Sequence, residues 1–243
     1  MSAARCATIR YPREALRTLL ARHPLFREVS PALLDGLLKF ATVRHFEADD
    51  EIFAKGDAGD ALSGVLSGRV CIYTTSPEGE EAILNILEPG EMFGEIALLD
   101  GGPRTASARV MVAADLLQIR RSHFVTFLRD HPELGLAMLP VLCGRIRMNV
   151  ELIEDAAFLD LSARLAKRLL SLAKTHGKPD PRGVRIAFKV SQQDLARMIG
   201  ATRERVNKEL ALWREGGLIA VEDGAIVIRR PDTLRALAAE QIG

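Results

Sequence analysis

At 243 residues, with 48% apolar and 27% charged side chains, the chain has the composition of a soluble globular protein with room for two modest domains. The longest apolar run, Leu134 to Cys143, contains Gly135 and Pro140 and is too short to span a bilayer, and no charged-then-apolar leader opens the chain. The net charge of +1 divides unevenly: residues 1–158 hold 17 Lys+Arg against 22 Asp+Glu (−5), and residues 159–243 hold 16 against 10 (+6). A cytoplasmic protein without a membrane partner is expected. The basic second part suggests nucleic acid, although +6 is also an ordinary solvated surface.

Residues 11–40 place Leu16, Leu19 and Leu20, then Leu33, Leu34, Leu37 and Leu38, at helical spacing, interrupted at His23-Pro24 and Ser30-Pro31. Ser30 before Pro31 is an N-cap followed by a first-turn proline, so short helices are predicted. From about Thr42 to Ile119 the pattern changes to short β-type runs with turns at Gly56, Gly68 and Gly90, which indicates an antiparallel roll or barrel. Inside it lies FGEIALLDGGPRTASARV, Phe93 to Val110. Gly94 lets the main chain pass close to a bound group, and Glu95 is an acceptor-only carboxylate suited to adjacent sugar hydroxyls. Ile96 and Ala97 open one short helical turn. Arg104 offers a planar fork of donors to a phosphate, with Thr105 and Ala106 beside it.

A helical region begins between His123 and Leu128, and Pro132 starts a longer helix reaching about Ala157. Leu139, Leu142, Ile146, Ile153 and Ala156 alternate steps of three and four, a coiled-coil-like seam in which Asn149 takes a matching position. Leu161 to Thr175 reads as an amphipathic helix, HGKPDPRG as a loop, and Val184 to Val190 as a short strand. Next, Ser191 caps a helix carrying Leu195, Ala196 and Ile199, Gly200 supplies a turn, and Thr202 caps a second helix with Val206, Leu210 and Trp213 inward. That order matches the helix-turn-helix. Arg203, Glu204, Arg205, Asn207 and Lys208 face outward near the start of the second helix. Leu218 to Ile228, turning at Asp223-Gly224, forms a hairpin wing.

These motifs resemble those of the CRP/FNR superfamily over residues 20 to 230. Phe93, Gly94, Glu95, Ala97, Leu98, Pro103, Arg104, Thr105 and Ala106 match the phosphate-binding cassette of cyclic-nucleotide-binding domains. The Arg203-Glu204 and Lys208 pattern is similar to the recognition helix. The resemblance implies an α+β chain: an N-terminal antiparallel β-roll of the cyclic-nucleotide-binding type (residues 1–130), a long central dimerisation helix (131–158) and a C-terminal winged helix-turn-helix (159–243). It implies that Glu95 takes the ribose 2′-hydroxyl and Arg104 the cyclic phosphate. Leu84, Ile72 and Ile96 stand where the family packs base and sugar, or serve simply as core. Asn149 and Val150 replace a Thr-Ser pair that reads adenine in the superfamily's catabolite activators, reached through the hinge-like Ala157-Phe158-Leu159-Asp160. Asn149 is therefore either a base contact for cyclic AMP or cyclic GMP, or an Asn–Asn pair that fixes register. Thr105 is similar to a residue that favours guanine in cyclic-GMP-dependent kinases.

The expected nucleotide site is Gly94, Glu95, Ile96, Ala97, Arg104, Thr105, Ala106, Leu84 and Asn149, with a cyclic nucleotide as allosteric ligand. The expected DNA contacts are Gln192, Gln193, Thr202, Arg203, Glu204, Arg205 and Lys208. The implied partners are a second copy of the chain, double-stranded DNA with TGTGA-like half-sites in a near-palindrome, and RNA polymerase. Lys208 replaces an arginine and makes no bidentate base contact, so its base is read more loosely. Cys6, Cys71 and Cys143 have neither metal-ligand nor disulfide spacing, and Cys6 stands apart from any iron–sulfur cluster motif, so no metal, haem or iron–sulfur cluster is expected. No Walker loop or nucleophile–base pair suggests an enzyme. A regulator with an empty pocket or another effector, binding DNA constitutively or antagonised by that effector, stays open beside the nucleotide-gated one.

Overall fold

The structure is a computed structural model that describes residues 9–23, 26 and 29–239. Cys6 and Pro24 lie outside the described residues. The chain divides into two compact units, residues 1–79 with 84–146 and residues 80–83 with 147–243, and the main division falls inside one long helix, between Ile146 and Arg147.

The first unit opens with α1 (Arg13–Arg22) and α2 (Pro31–Leu38), the latter capped by the Ser30 hydroxyl, which accepts from the Leu33 amide at 3.3 Å. Eight strands follow: β1 (Ala41–Phe46), β2 (Glu51–Phe53), β3 (Ala61–Val65), β4 (Arg69–Thr75), β5 (Glu81–Leu87), β6 (Met92–Phe93), then α3 (Glu95–Asp100), β7 (Ser107–Val112) and β8 (Ala114–Arg120). They form two four-stranded sheets, in the orders β1-β8-β3-β6 and β2-β7-β4-β5. This is the expected roll, with α3 as its helical interruption. Strand alternation explains the layering. Ala114 and Leu116 of β8 point into the core between the sheets, with Phe46, Val65, Val70 and Val110. Leu117 and Ile119 point the other way, onto Leu16, Leu20, Leu34 and Leu37 of the first two helices. Each such leucine, fully buried, contributes roughly 1.5–3 kcal/mol. Helix α4 (Arg121–Asp130) adds Phe124 and Phe127 to that second core, and α5 (Pro132–Phe158) adds Leu134 and Met138.

Beyond its first turns α5 carries a row of exposed apolar side chains. Leu136 is 70% exposed, Ile146 62% and Ile153 68%, with Leu139 and Val150 also open. No helix among the described residues is long and apolar enough to cross a membrane.

The second unit contains α6 (Leu161–His176), β9 (Gly177–Asp180), β10 (Gly183–Ile186), α7 (Gln192–Ile199), α8 (Arg203–Glu215), β11 (Ile219–Glu222), β12 (Ala225–Ile228) and α9 (Pro231–Ala239). Two expectations need correction here. HGKPDPRG is not simply a loop: its first part is β9, which pairs antiparallel with β10, Val184 opposite Pro179. Proline is tolerated because β9 is the edge of the sheet β11-β12-β10-β9, so its missing N–H costs no ladder bond. The strand predicted over Val184 to Val190 ends at Ile186. Helix α9, not anticipated from the sequence, buries Leu234 and packs along α6. The turn end of the wing is tied by charge: Glu222 accepts from Arg182 at 2.6 Å and Arg185 at 2.8 Å, and Arg185 also reaches Asp180 at 3.2 Å.

Candidate functional site

Helix α3 and the segment after it build a cavity in the first unit. Gly94 begins α3 in the left-handed region (φ 83°). A Cβ there would sit 2.4 Å from Nη1 of Arg104, so only glycine leaves the arginine its place. Gly101 ends the helix with its amide on the Ala97 carbonyl, and Nε of Arg121 donates to the Leu98 carbonyl at 2.8 Å. The chain then returns along the turn at Ala54 to Asp57. The Arg104 amide donates to the Asp57 carbonyl at 2.8 Å, and the Gly56 amide donates to the Arg104 carbonyl at 2.9 Å. Arg104 is thus clamped through its backbone before its side chain does anything.

That side chain is 3% exposed. Nη1 donates to the Gly94 carbonyl at 3.0 Å and Nη2 to the Ala61 carbonyl at 2.8 Å, while the guanidinium lies 4.1 Å over the Phe53 ring. Asp60, largely solvated, is 3.6 Å from Nη2. Nε is buried and has no hydrogen-bond partner. Burial pushes the guanidinium below its ordinary value, with Asp60, Asp57 and Glu95 pulling the other way, and arginine still keeps its charge. The result is a buried, permanent cation with hydrogen-bonding capacity to spare.

Glu95 is 5% exposed, and its partner comes from elsewhere. Nε of Arg145, on α5, lies 2.7 Å from Oε1 of Glu95, an ion pair out of hydrogen-bond alignment, while Nη2 of Arg145 donates to the Met92 carbonyl at 2.7 Å. Phe53, Ile72, Phe93, Ile96, Ala97, Thr105 and Ala106 complete the lining of a concavity of about 410 Å³, counted to its open mouth.

In the second unit Asp160, Ser191 and Thr202 cap α6, α7 and α8, each side chain accepting a backbone N–H. Gly200 takes the left-handed conformation that the α7–α8 turn needs (φ 62°). Nη1 of Arg164 donates to the Ile199 carbonyl at 2.9 Å, and the Ser162 hydroxyl donates to Glu209 at 2.7 Å, fixing both helices on α6. Val206, Leu210 and Trp213 are buried, which leaves Arg203, Glu204, Arg205, Asn207 and Lys208 exposed. At 3.6 residues per turn Glu204 and Lys208 lie opposite the buried line. Nε2 of Gln192, at the start of α7, donates to Oδ1 of Asn207 at 2.9 Å. The wing turns at Asp223-Gly224, both at positive φ (52° and 79°).

Residues 43–131 match the model of the cyclic nucleotide-binding domain, and residues 163–237 match the Crp-like helix-turn-helix domain. The chain belongs to the CRP/FNR family. It is a DNA-binding transcription regulator, and the family is one of regulators rather than enzymes. A relative in Mycobacterium tuberculosis, a CRP-like cAMP-activated global transcriptional regulator, is 34% identical over 89% of this chain and 96% of its own. The cyclic AMP receptor protein of Thermus thermophilus is 31% identical over 88% of this chain and 96% of its own. The solved structure of the c-di-GMP responsive regulator CLP from Xanthomonas campestris superposes with a TM-score of 0.73 at 24% identity, over 82% of this chain and 99% of its own, a likeness of fold.

In this CRP/FNR regulator the cavity brings together Gly94, Glu95, Ile96, Ala97, Arg104, Thr105 and Ala106. Leu84 is outside the lining, half-buried on β5, and Asn149 stands exposed on α5. The lining also includes Phe53 and Arg145, which the sequence reading missed. Arg145 carries no motif signal. Its one legible feature is a basic residue on each side of Ile146, Arg145 and Arg147, after the apolar run that ends at Cys143. Gln193, Thr202, Arg203, Glu204, Arg205 and Lys208 are all exposed at the α7–α8 end of the second unit, and Gln192 is half-buried there.

Proposed function

We propose that this regulator binds a cyclic nucleoside monophosphate, cyclic AMP or cyclic GMP, in the α3 cavity, and that occupancy raises the affinity of a homodimer for a near-palindromic DNA site. The observation that carries the reading is Arg104: a buried guanidinium, clamped by two carbonyls and an aromatic ring, with Nε unpartnered. The charged lining supports it. Arg104 and Arg145 against Glu95 leave one net positive charge, the complement of a singly charged cyclic phosphodiester. In this reading the phosphate sits on Arg104, the ribose hydroxyl on Glu95, and sugar and base lie along Phe53, Ile72 and Phe93. Thr105 serves the phosphate or the base, and Asn149 is kept as base-selecting candidate on the resemblance alone.

The coupling runs through Arg145. It holds Glu95 and the Met92 carbonyl from α5, so a ligand entering beside Glu95 must share or displace it. Positions of α5 with and without that contact would then differ in affinity for nucleotide, which is what a population shift requires. The exposed apolar row of α5 supplies the dimer seam. Paired copies of α8 then enter successive major grooves about 34 Å apart. RNA polymerase is the partner through which such a bound dimer acts on transcription.

The test is calorimetric titration with cyclic AMP, cyclic GMP and cyclic di-GMP, with DNA binding followed at one stated salt concentration. Micromolar or tighter binding of one mononucleotide, with DNA affinity rising by the reciprocal factor, is the expected result. Binding of cyclic di-GMP alone, or no heat and unchanged DNA affinity, overturns the gating. The winged helix would then work constitutively or under another effector.

A further inference from the structure

The amide pair joining Gln192 of α7 to Asn207 of α8 is a cross-helix contact on the exposed face of the helix-turn-helix. Nε2 of Gln192 donates to Oδ1 of Asn207 at 2.9 Å. Two polar groups are thereby used, and two stay open: Nδ2 of Asn207, a donor, and Oε1 of Gln192, an acceptor. Neither has a protein partner among the described residues. An adjacent donor and acceptor is the complement of the major-groove edge of adenine, whose N7 accepts and whose N6 amine donates. A free asparagine achieves that match only if its own amide is correctly oriented. Here the bond from Gln192 fixes which end of Asn207 faces out.

The placement suits such a role. Asn207 precedes Lys208 on α8 and lies a quarter-turn from the line of Glu204 and Lys208, on the flank toward α7. Val206 and Leu210 hold that part of α8 on the core, so its outward residues move little relative to one another. A single amide exposed on a helix is ordinarily a solvated side chain; two amides from different helices, bonded in one orientation on the face that carries the recognition residues, form a built unit.

We propose that the Gln192–Asn207 pair reads an adenine, adding one base position to each half-site beyond those served by Arg203, Glu204 and Lys208. The inference rests on DNA recognition by α8. Asn207 supplies the donor for N7, and Gln192 supplies the acceptor for the N6 amine while orienting Asn207.

The experiment is selection of binding sites from a randomised duplex library with the full-length protein, for wild type, Asn207→Ala and Gln192→Ala. The same variants are titrated on the best site and its single-base variants at two salt concentrations, and their thermal melts are recorded. Wild type should return two half-sites with an adenine position that both variants flatten. Discrimination there should fall by about tenfold, with the other positions, the melting temperature and the slope of affinity against salt unchanged. A uniform loss over all sequences with a shallower salt slope would mean a phosphate contact and overturn the proposal, as would unchanged preferences in Asn207→Ala. Loss at that position in Asn207→Ala but not in Gln192→Ala would overturn the orienting role. Failure of wild type to select any paired motif would instead remove the recognition reading on which the proposal stands.

Discussion

Arg145 and Glu95 meet at 2.7 Å, joining the long helix α5 to the buried carboxylate of α3 inside the candidate nucleotide site. Removing the arginine strands a carboxylate that is 5% exposed. Arg145→Ala is expected to lower unfolding stability by about 1–3 kcal/mol, the cost of an unsatisfied buried charge with some solvent access from the Arg145 side. Glu95→Gln, which keeps the shape and drops the charge, should cost less. Denaturant titration measures both. Equal stability of Arg145→Ala and wild type would mean that the pair contributes nothing to the fold. In a nucleotide-gated protein Arg145→Ala should also uncouple the two bindings, leaving DNA affinity nearly indifferent to ligand.

Arg104 is buried by a backbone clamp that does not need its side chain, so Arg104→Ala should fold. It would lose at least two charge-assisted bonds to a phosphate, each worth about 1.5–3 kcal/mol, so nucleotide affinity should fall at least about a hundredfold. Lysine cannot reproduce the fork, and Arg104→Lys should recover little. Gly94→Ala is the structural counterpart: at φ 83° its Cβ would sit 2.4 Å from Nη1 of Arg104. The strained backbone costs about 1–3 kcal/mol and the guanidinium must leave its place, so stability and affinity should fall together. Calorimetry and thermal melts on the three variants separate these outcomes, and full affinity in Arg104→Ala would remove the phosphate assignment.

Two histidines carry opposite pH dependence. The hydrogen bond that Asp115 accepts from Nδ1 of His45, at 2.7 Å, is the first cause that raises the His45 pKa above its ordinary value, with Asp115 and Glu47 charges adding and burial opposing. A raised folded-state value stabilises fully below about pH 6.5 and fades as pH rises through it, so His45→Gln should lower the melting temperature more at pH 6 than at pH 8.5. Burial, with the Arg145 charge second, pushes His23 down to about 4. Its contribution is present above about pH 6.5 and is lost as pH falls toward 4, so His23→Phe should flatten that acid limb. Melting curves of variant and wild type that run parallel across pH would contradict either assignment.

The cassette was legible because its parts lie within one short stretch, where a glycine turn, an acid and an arginine have few other uses together. Residues that complete the cavity from afar were not. Phe53 and Arg145 belong to different elements, and each alone looks like ordinary core or a solvated helix charge; only packing brings them to Glu95 and Arg104. The wing turn at Asp223-Gly224 was readable for a local reason, two residues that tolerate positive φ between apolar runs. Strand β9 was hidden by Pro179, which argues against a strand unless its edge position is known. The Gln192–Asn207 bond spans two helices and leaves no spacing signature at all.

The exposed row on α5 yields the last prediction. Leu139, Ile146 and Ile153 recur every seven residues, with Leu142, Asn149 and Ala156 three residues after each, and Ile146 and Ile153 are 62% and 68% exposed in the single chain. An apolar seam of this length left in water is costly, and a second copy of the same helix is its natural cover. Each isoleucine contributes roughly 1.5–3 kcal/mol when buried, and a two-fold seam counts it twice. Ile146→Asp or Ile153→Asp should therefore weaken association at least about a hundredfold and leave each unit folded. Asn149 is the polar exception, and a polar seam residue sets register at a cost in stability. Asn149→Leu should tighten self-association while relaxing its register. Sedimentation equilibrium, with circular dichroism as the check on folding, measures all three variants. A wild-type dimer unmoved by either aspartate would place the interface elsewhere and leave the row on α5 to another partner.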